Sequence, residues 1–313
     1  MEESFGNWYI LIWNLDIEGP VFKLAPGVSI RRLDSDLSVF DLAATGAVGF
    51  REWAMLEPFA TNCVCEIETA QDAAIKPGYD SLNRAWLASA LLKLKGYSAH
   101  LPLACSSYSW DVVAGHQERT RLIFKEEVKT KGIESAVYSP SRDLPPFKGR
   151  LLELHTKFFV PGNAKKKLVK EDATWICENY ERFNSLAAGS ESFCFALAAA
   201  VDWQYADRPR LAIAQLWSGI EAIFGISSEL VYRISLLIAS LLEPRGVARQ
   251  NRFNQVRKLY GVRSKAVHGE ELSDVKLTKA MLESFDILSK ILLLNVEKGH
   301  PFTQEDFEEA ILY

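Results

Sequence analysis

The stretch LYGVRSKAVHGE, residues 259–270, carries two side chains suited to work on a phosphate. Arg263 holds a permanent charge on a planar fork whose N–H groups match phosphate oxygens two at a time. His268 is the residue type that ordinarily titrates nearest neutral pH, which is what a general acid or base requires. Gly269 follows it at once, as glycine does after the last turn of a helix. At such an end the macrodipole favours the imidazolium form. Arg263 and His268 are five positions apart, about 140° around a helix that turns about 100° per residue. They do not stack on one face. Either they converge on a substrate, most readily with a second copy of the helix opposite, or a structural Arg and a capping His are merely neighbours.

By spacing alone the second reading is the default; the surrounding charge bears on what the helix meets. Arg245, Arg249, Arg252, Arg257, Lys258, Arg263 and Lys265 follow one another with no Asp or Glu between them, in a chain of net charge −4. Asn251, Asn254 and Gln255 add neutral donors. A merely solvated helix face mixes signs, because opposite charges at i,i+4 support it. An unmixed one points to a polyanion, RNA above all, with Arg249, Arg252, Arg257 and Lys258 on flanking phosphates. The acidic total excludes a generic nucleic-acid binder, so the patch is local.

The elements that must position these residues are helical. RPRLAIAQLWSGIEAIFG places Pro209 in a first turn, Ile213, Leu216, Ile220 and Ile223 on one stripe, and Gly225 at the end. SSELVYRISLLIASLLEP follows, capped by Ser227 or Ser228, with Ile234, Leu237, Ile238 and Leu241 as its stripe. The last long helix carries Leu277, Met281, Phe285, Leu288 and Leu292. Residues 165–313 therefore read as an all-α bundle. Residues 1–160 read as α+β: strands in WYILIWNL, on either side of Pro26-Gly27, in TNCVCEIET, RLIFKEEVKT and AVYSP, and one helix closing on Gly96. The fold class is α+β, a mixed N-terminal domain followed by a helical one.

LYGVRSKAVHG resembles the R-x4-6-H motif of HEPN domains, and in particular the Apea-like branch, where a Tyr precedes the Arg, a Ser follows it and Val-His-Gly closes the helix. LWSGIEAIFG is similar to the helix that opens those domains, with Glu221 at its middle. The resemblance covers roughly residues 200–300. It implies a metal-independent endoribonuclease in which the ribose 2′-OH attacks the adjacent phosphate, leaving a 2′,3′-cyclic phosphate and a 5′-OH. On this reading Arg263 steadies the phosphoryl charge and His268 moves a proton, with Tyr260, Ser264, Lys265 and Glu221 in support. It also implies a homodimer with a composite site, no cofactor, and a role in defence or as a toxin, with a phage-derived trigger or an antitoxin as partner. Many HEPN nucleases carry Asn, Asp or His directly after the Arg; this chain has Ser264. The alternative is a HEPN module that binds RNA or a nucleotide without cutting it.

Other features are weighed more plainly. Glu221 follows Ile220 and would point inward, where it needs a partner; Arg263 is the candidate, with orientation of that Arg favoured over proton transfer. Lys165, Lys166, Lys167 and Lys170 suit a solvated linker or an extension of an RNA path. Trp203, Tyr205 and Trp217 suit a core. The five cysteines show no paired metal spacing, and Cys63 and Cys65 share one strand face, which suits a core and a reducing cytoplasm. No Gly-rich phosphate loop, H-E-x-x-H pattern or nucleophile elbow is present. No apolar run is long enough for a membrane span.

Overall fold

A computed structural model describes residues 7–34, 36–37, 59, 62–70, 79–106, 108–114, 149–151, 158–226 and 230–313. The strand expectations at 121–130 and 136–140 and the Ser227 or Ser228 cap lie outside them. The chain divides into two units. One comprises Met1–Ser89, Ala99–Thr156 and Ala164–Cys177; the other comprises Ala90–Ser98, Lys157–Asn163 and Glu178–Tyr313.

The first unit is built on an antiparallel sheet. Its strands are β1 (Trp8–Trp13), β3 (Val21–Ala25), β4 (Val28–Arg32), β5 (Cys63–Thr69), β6 (Leu101–Ser106) and β7 (Gly149–Leu151), in the order β3-β4-β5-β1-β6-β7. Pro26 and Gly27 turn the β3–β4 hairpin, and Gly27 takes the φ of 70° that a side chain would resist. Cys63 and Cys65 are buried on one face of β5, and burial pushes the Cys63 thiol up to about 12, so both are core groups. Two short strands, β2 (Asp16–Ile17) and β8 (Lys167–Leu168), pair in parallel and tie Lys167 beside Asp16. Lys165 pairs with Asp172 at 2.8 Å. The fully buried Glu66 holds the short helix α2 (Trp110–Ala114) against the sheet: it accepts from the Trp110 backbone N–H at 2.7 Å and pairs with Arg31 at 2.5 Å. A longer helix, α1 (Tyr79–Leu94), contributes residues to both units.

The second unit is helical: the latter part of α3 (Lys170–Gly189), then α4 (Glu191–Asp202), a 3-10 turn at Trp203–Tyr205, α5 (Pro209–Phe224), α6 (Leu230–Leu242), α7 (Val247–Val267), α8 (Asp274–Lys298) and α9 (Gln304–Leu312). The expected stripes face inward except at their last members on α5 and α6, Ile223 and Leu241, which are half-buried. Ile213, Leu216 and Ile220 on α5, Ile234, Leu237 and Ile238 on α6, and all five named residues of α8 are buried. Trp203 and Trp217 are core residues, and the Trp217 indole N–H donates to Ser284 Oγ at 3.0 Å, joining α5 to α8. Gly219 allows α4 and α5 to touch: a Cβ there would lie 2.9 Å from Ala199 Cβ and 3.2 Å from Ala196 Cα. Among the described residues no helix is long and apolar enough to cross a membrane.

Candidate active site

α7 is the element that carries the candidate residues. It starts after Gly246 and runs through 21 residues without an acid. It packs between α6, α5 and α8, burying Val256, Leu259, Tyr260 and Ala266. Its C-terminus is closed as the sequence suggests. His268 is the C-cap, Gly269 is left-handed at φ 78°, and the Glu270 N–H reaches back to the Lys265 carbonyl at 3.0 Å. The His268 N–H donates to the Ser264 carbonyl at 3.0 Å, and its side chain is exposed.

Arg263, Glu221 and Tyr260 form one cluster where α5 meets α7. Arg263 Nη2 lies 3.2 Å from Glu221 Oε1 and 3.3 Å from Oε2, and only the contact with Oε2 has hydrogen-bond geometry. Both side chains are about three-quarters buried, at 23% exposure each. Arg263 Nε and Glu221 Oε1 are buried with no hydrogen-bond partner, an arrangement that carries a cost in a native interior. The guanidinium lies 5.4 Å from the centre of the Tyr260 ring, which meets Trp217 edge-on at 5.2 Å. Burial, and then the nearby Glu221 carboxylate, push the Tyr260 hydroxyl above its ordinary value, with Arg263 pulling the other way. The phenol therefore stays protonated and able to donate at any physiological pH. Glu221 thus fixes the fork of Arg263 in place without saturating it.

The basic run does not form one free patch. Arg249 donates to the Glu243 carbonyl and to the Ala310 carbonyl, both at 3.1 Å. Arg252 donates twice to Glu243, at 3.0 and 2.7 Å, and once to Gln255. Arg245 caps the end of α9 through the Ile311 and Leu312 carbonyls. Arg249 and Arg252 are therefore engaged within the helical unit, clamping α7 to the end of α6 and to α9. Their partners are Glu243 just before the run, Gln255 within it and the distant Ala310 carbonyl, so a sequence window without acids did not mean cations without partners. Lys265 pairs with Glu270 at 3.2 Å across the surface, a contact of small value in water. Arg257 and Lys258 are exposed, and among the described residues neither is paired with an acid.

Sequence reasoning missed Arg210. From the first turn of α5 it donates to the Ala266 carbonyl at 3.2 Å and to the Glu270 carbonyl at 2.6 Å. A permanent cation already meets the carbonyl end of α7, the end whose field the sequence reading assigned to His268. The signal was faint: an Arg just inside a helix start, where a cation gains nothing from its own helix.

Comparison of the chain with models of known protein families, with curated proteins and with solved structures found no match.

Proposed function

We propose that the helical unit is a metal-independent endoribonuclease of HEPN type, acting as a homodimer in which two α7 helices complete one site. The observation that supports it best is the Arg263–Glu221–Tyr260 cluster: a guanidinium held to Glu221 through Nη2 alone, with no hydrogen bond at Nη1 among the described residues. A phosphate oxygen is the natural acceptor for that fork. In the proposed reaction His268 takes the proton of the ribose 2′-OH, and the 2′-oxygen forms a bond to the adjacent phosphorus. The P–O5′ bond breaks, and the leaving oxygen takes a proton, from the partner copy's histidine or from water. Products are a 2′,3′-cyclic phosphate and a 5′-OH. Arg263, and Tyr260 behind it, face the charge that grows on the phosphoryl oxygens. Lys265, and Ser264 beside Arg263, line the approach. The N-terminal unit is assigned a sensing or restraining role, answering a phage-derived trigger or an antitoxin.

The test is incubation of labelled RNA with wild type and His268→Ala in EDTA. Cleavage by wild type alone, with cyclic-phosphate ends, is expected. Absence of cleavage by either protein, with equal binding by both, refutes the nuclease reading. A second reading rests on the same pair. Glu221 neutralises Arg263 in one copy of the chain, which suits a module that binds RNA or a nucleotide without cutting it; that module gives the second outcome.

A further inference from the structure

The two faces of α7 differ in how their cations are used. At about 100° per residue, Arg252 and Arg263 lie within about 20° of each other around the helix, and both are tied to acids. Arg257, Gly261, Ser264 and His268 lie within about 60° of one another on the opposite side. Arg257, Gly261 and His268 are exposed there and Ser264 is half-buried. From Arg257 to His268 this face rises roughly 16 Å.

An aromatic step stands at its start. Tyr232, on the first turns of α6, is 58% exposed. Its ring meets the half-buried Phe253 of α7 at 5.7 Å and 77°, and the Arg257 guanidinium lies 5.6 Å from the Phe253 ring centre. Arg233 and Lys258 are exposed beside them. This ladder is not core. It leaves ring area and a planar cation in solvent, the combination on which unpaired bases stack.

Gly261 is the second, independent observation. Glycine in a helix interior costs about 1 kcal/mol relative to alanine. Here a Cβ would meet nothing within 4 Å, so no packing within the chain requires its absence. It opens the exposed face between Arg257 and His268, where a sugar–phosphate strand can lie against the helix backbone.

We propose that this face of α7, with Tyr232 and Arg233 of α6, is a track for single-stranded RNA. Bases stack on Tyr232, Phe253 and Arg257, the strand crosses Gly261, and its 3′ or 5′ continuation reaches His268 at the end of the same face. This rests on the reading of α7 as RNA-facing, but it makes a separate claim: the substrate is unpaired, and its affinity comes in part from stacking rather than from charge alone.

The experiment uses the full chain and a fluorescently labelled, uncleavable 12-nucleotide 2′-O-methyl RNA, single-stranded or annealed to its complement, read by anisotropy. Tyr232→Ala is expected to weaken binding of the single strand about tenfold, the effect of losing one stacked base. Tyr232→Phe should restore it, and duplex binding should change little. Tyr232 is exposed, so folding is not at risk; Phe253→Leu is the second variant, checked by its thermal unfolding. Single-strand affinity unchanged in Tyr232→Ala, or no measurable binding by wild type, overturns the track. If affinity is unchanged while wild type still cleaves RNA, the nuclease reading survives without it. If binding depends on Tyr232 while wild type never cleaves, the track stands and the nuclease reading falls.

Discussion

Lys93 offers the sharpest test of the helical unit's energetics. It lies in the last turn of α1 at 1% exposure, with its Nζ 3.4 Å from the Val201 carbonyl and 5.4 Å from the centre of the Tyr205 ring. Burial lowers its ammonium from the ordinary 10.5 to about 8, and the charge of Asp202 only partly offsets this. That drop corresponds to roughly 3 kcal/mol against the folded state at neutral pH. The sign follows from proton uptake. Between about 8 and 10.5 the unfolded chain holds the proton and the folded chain does not, so stability rises with pH across that window. Below about 8 the cost is constant and complete. Lys93→Met keeps the length of the side chain and removes the charge. It loses the contact with the Tyr205 ring, about 1–2 kcal/mol for a desolvated pair. Lys93→Met should therefore be more stable than wild type by about 1–2 kcal/mol at pH 7, a few degrees in Tm. The advantage should vanish and then reverse before pH 10.5, because wild type gains roughly 3 kcal/mol across that window and the variant gains nothing. The assay is thermal unfolding followed by tryptophan fluorescence, at steps from pH 6.5 to 10.5. A variant less stable than wild type at pH 7, or a difference that does not change with pH, refutes the reasoning.

Glu221→Gln should keep the fold and release the Arg263 fork. Unfolding should become easier by about 1–3 kcal/mol, because a largely buried guanidinium keeps only a neutral partner, while RNA affinity rises and its salt dependence steepens, read by anisotropy across a salt series. Arg210→Met should leave the Ala266 and Glu270 carbonyls without a cation and fray the end of α7. The expected cost is about 1 kcal/mol, with faster amide exchange confined to the last turn and the Gly269 loop. Gly219→Val should be severe, since even a Cβ would stand 2.9 Å from Ala199; a loss of about 1–3 kcal/mol in chemical unfolding is expected. Asp306, held down to about 2 by the Lys298 ammonium and the Thr303 backbone and hydroxyl against the opposing effect of its own desolvation, should lose its contribution as pH falls from about 4 to 2. Asp306→Asn should flatten that part of the stability profile.

What could be read from the chain was whatever depends on near neighbours. Pro26-Gly27 fixes its hairpin within four residues, and the α8 stripe declares itself because helix periodicity is local. Gly269 marked the end of α7 for the same reason: its left-handed backbone serves carbonyls one turn back. The pairing of Asp16 with Lys167 joins segments about 150 residues apart, and no local pattern announces it. α9 follows a Thr303–Asp306 capping box that was legible in principle, in a stretch too short to show a stripe. The candidate site divides in the same way. The inward lean of Glu221 and its need for a cation follow from its place beside Ile220. The fate of Arg249 and Arg252 does not, because backbone carbonyls near 310 and the carboxylate of Glu243 decide it, and a run of like charges says nothing about what folds against it.

α5 grips α7 twice, at Arg210 and at Glu221, eleven residues apart on one helix. Those two contacts fix how far α7 is pushed along its axis and how it is rolled, so Arg263 and His268 inherit their positions from a neighbour. A genetic screen for soluble chains that have lost function should therefore return substitutions on α5 as readily as on α7. Pairs of compensating changes between the two helices should appear among its suppressors.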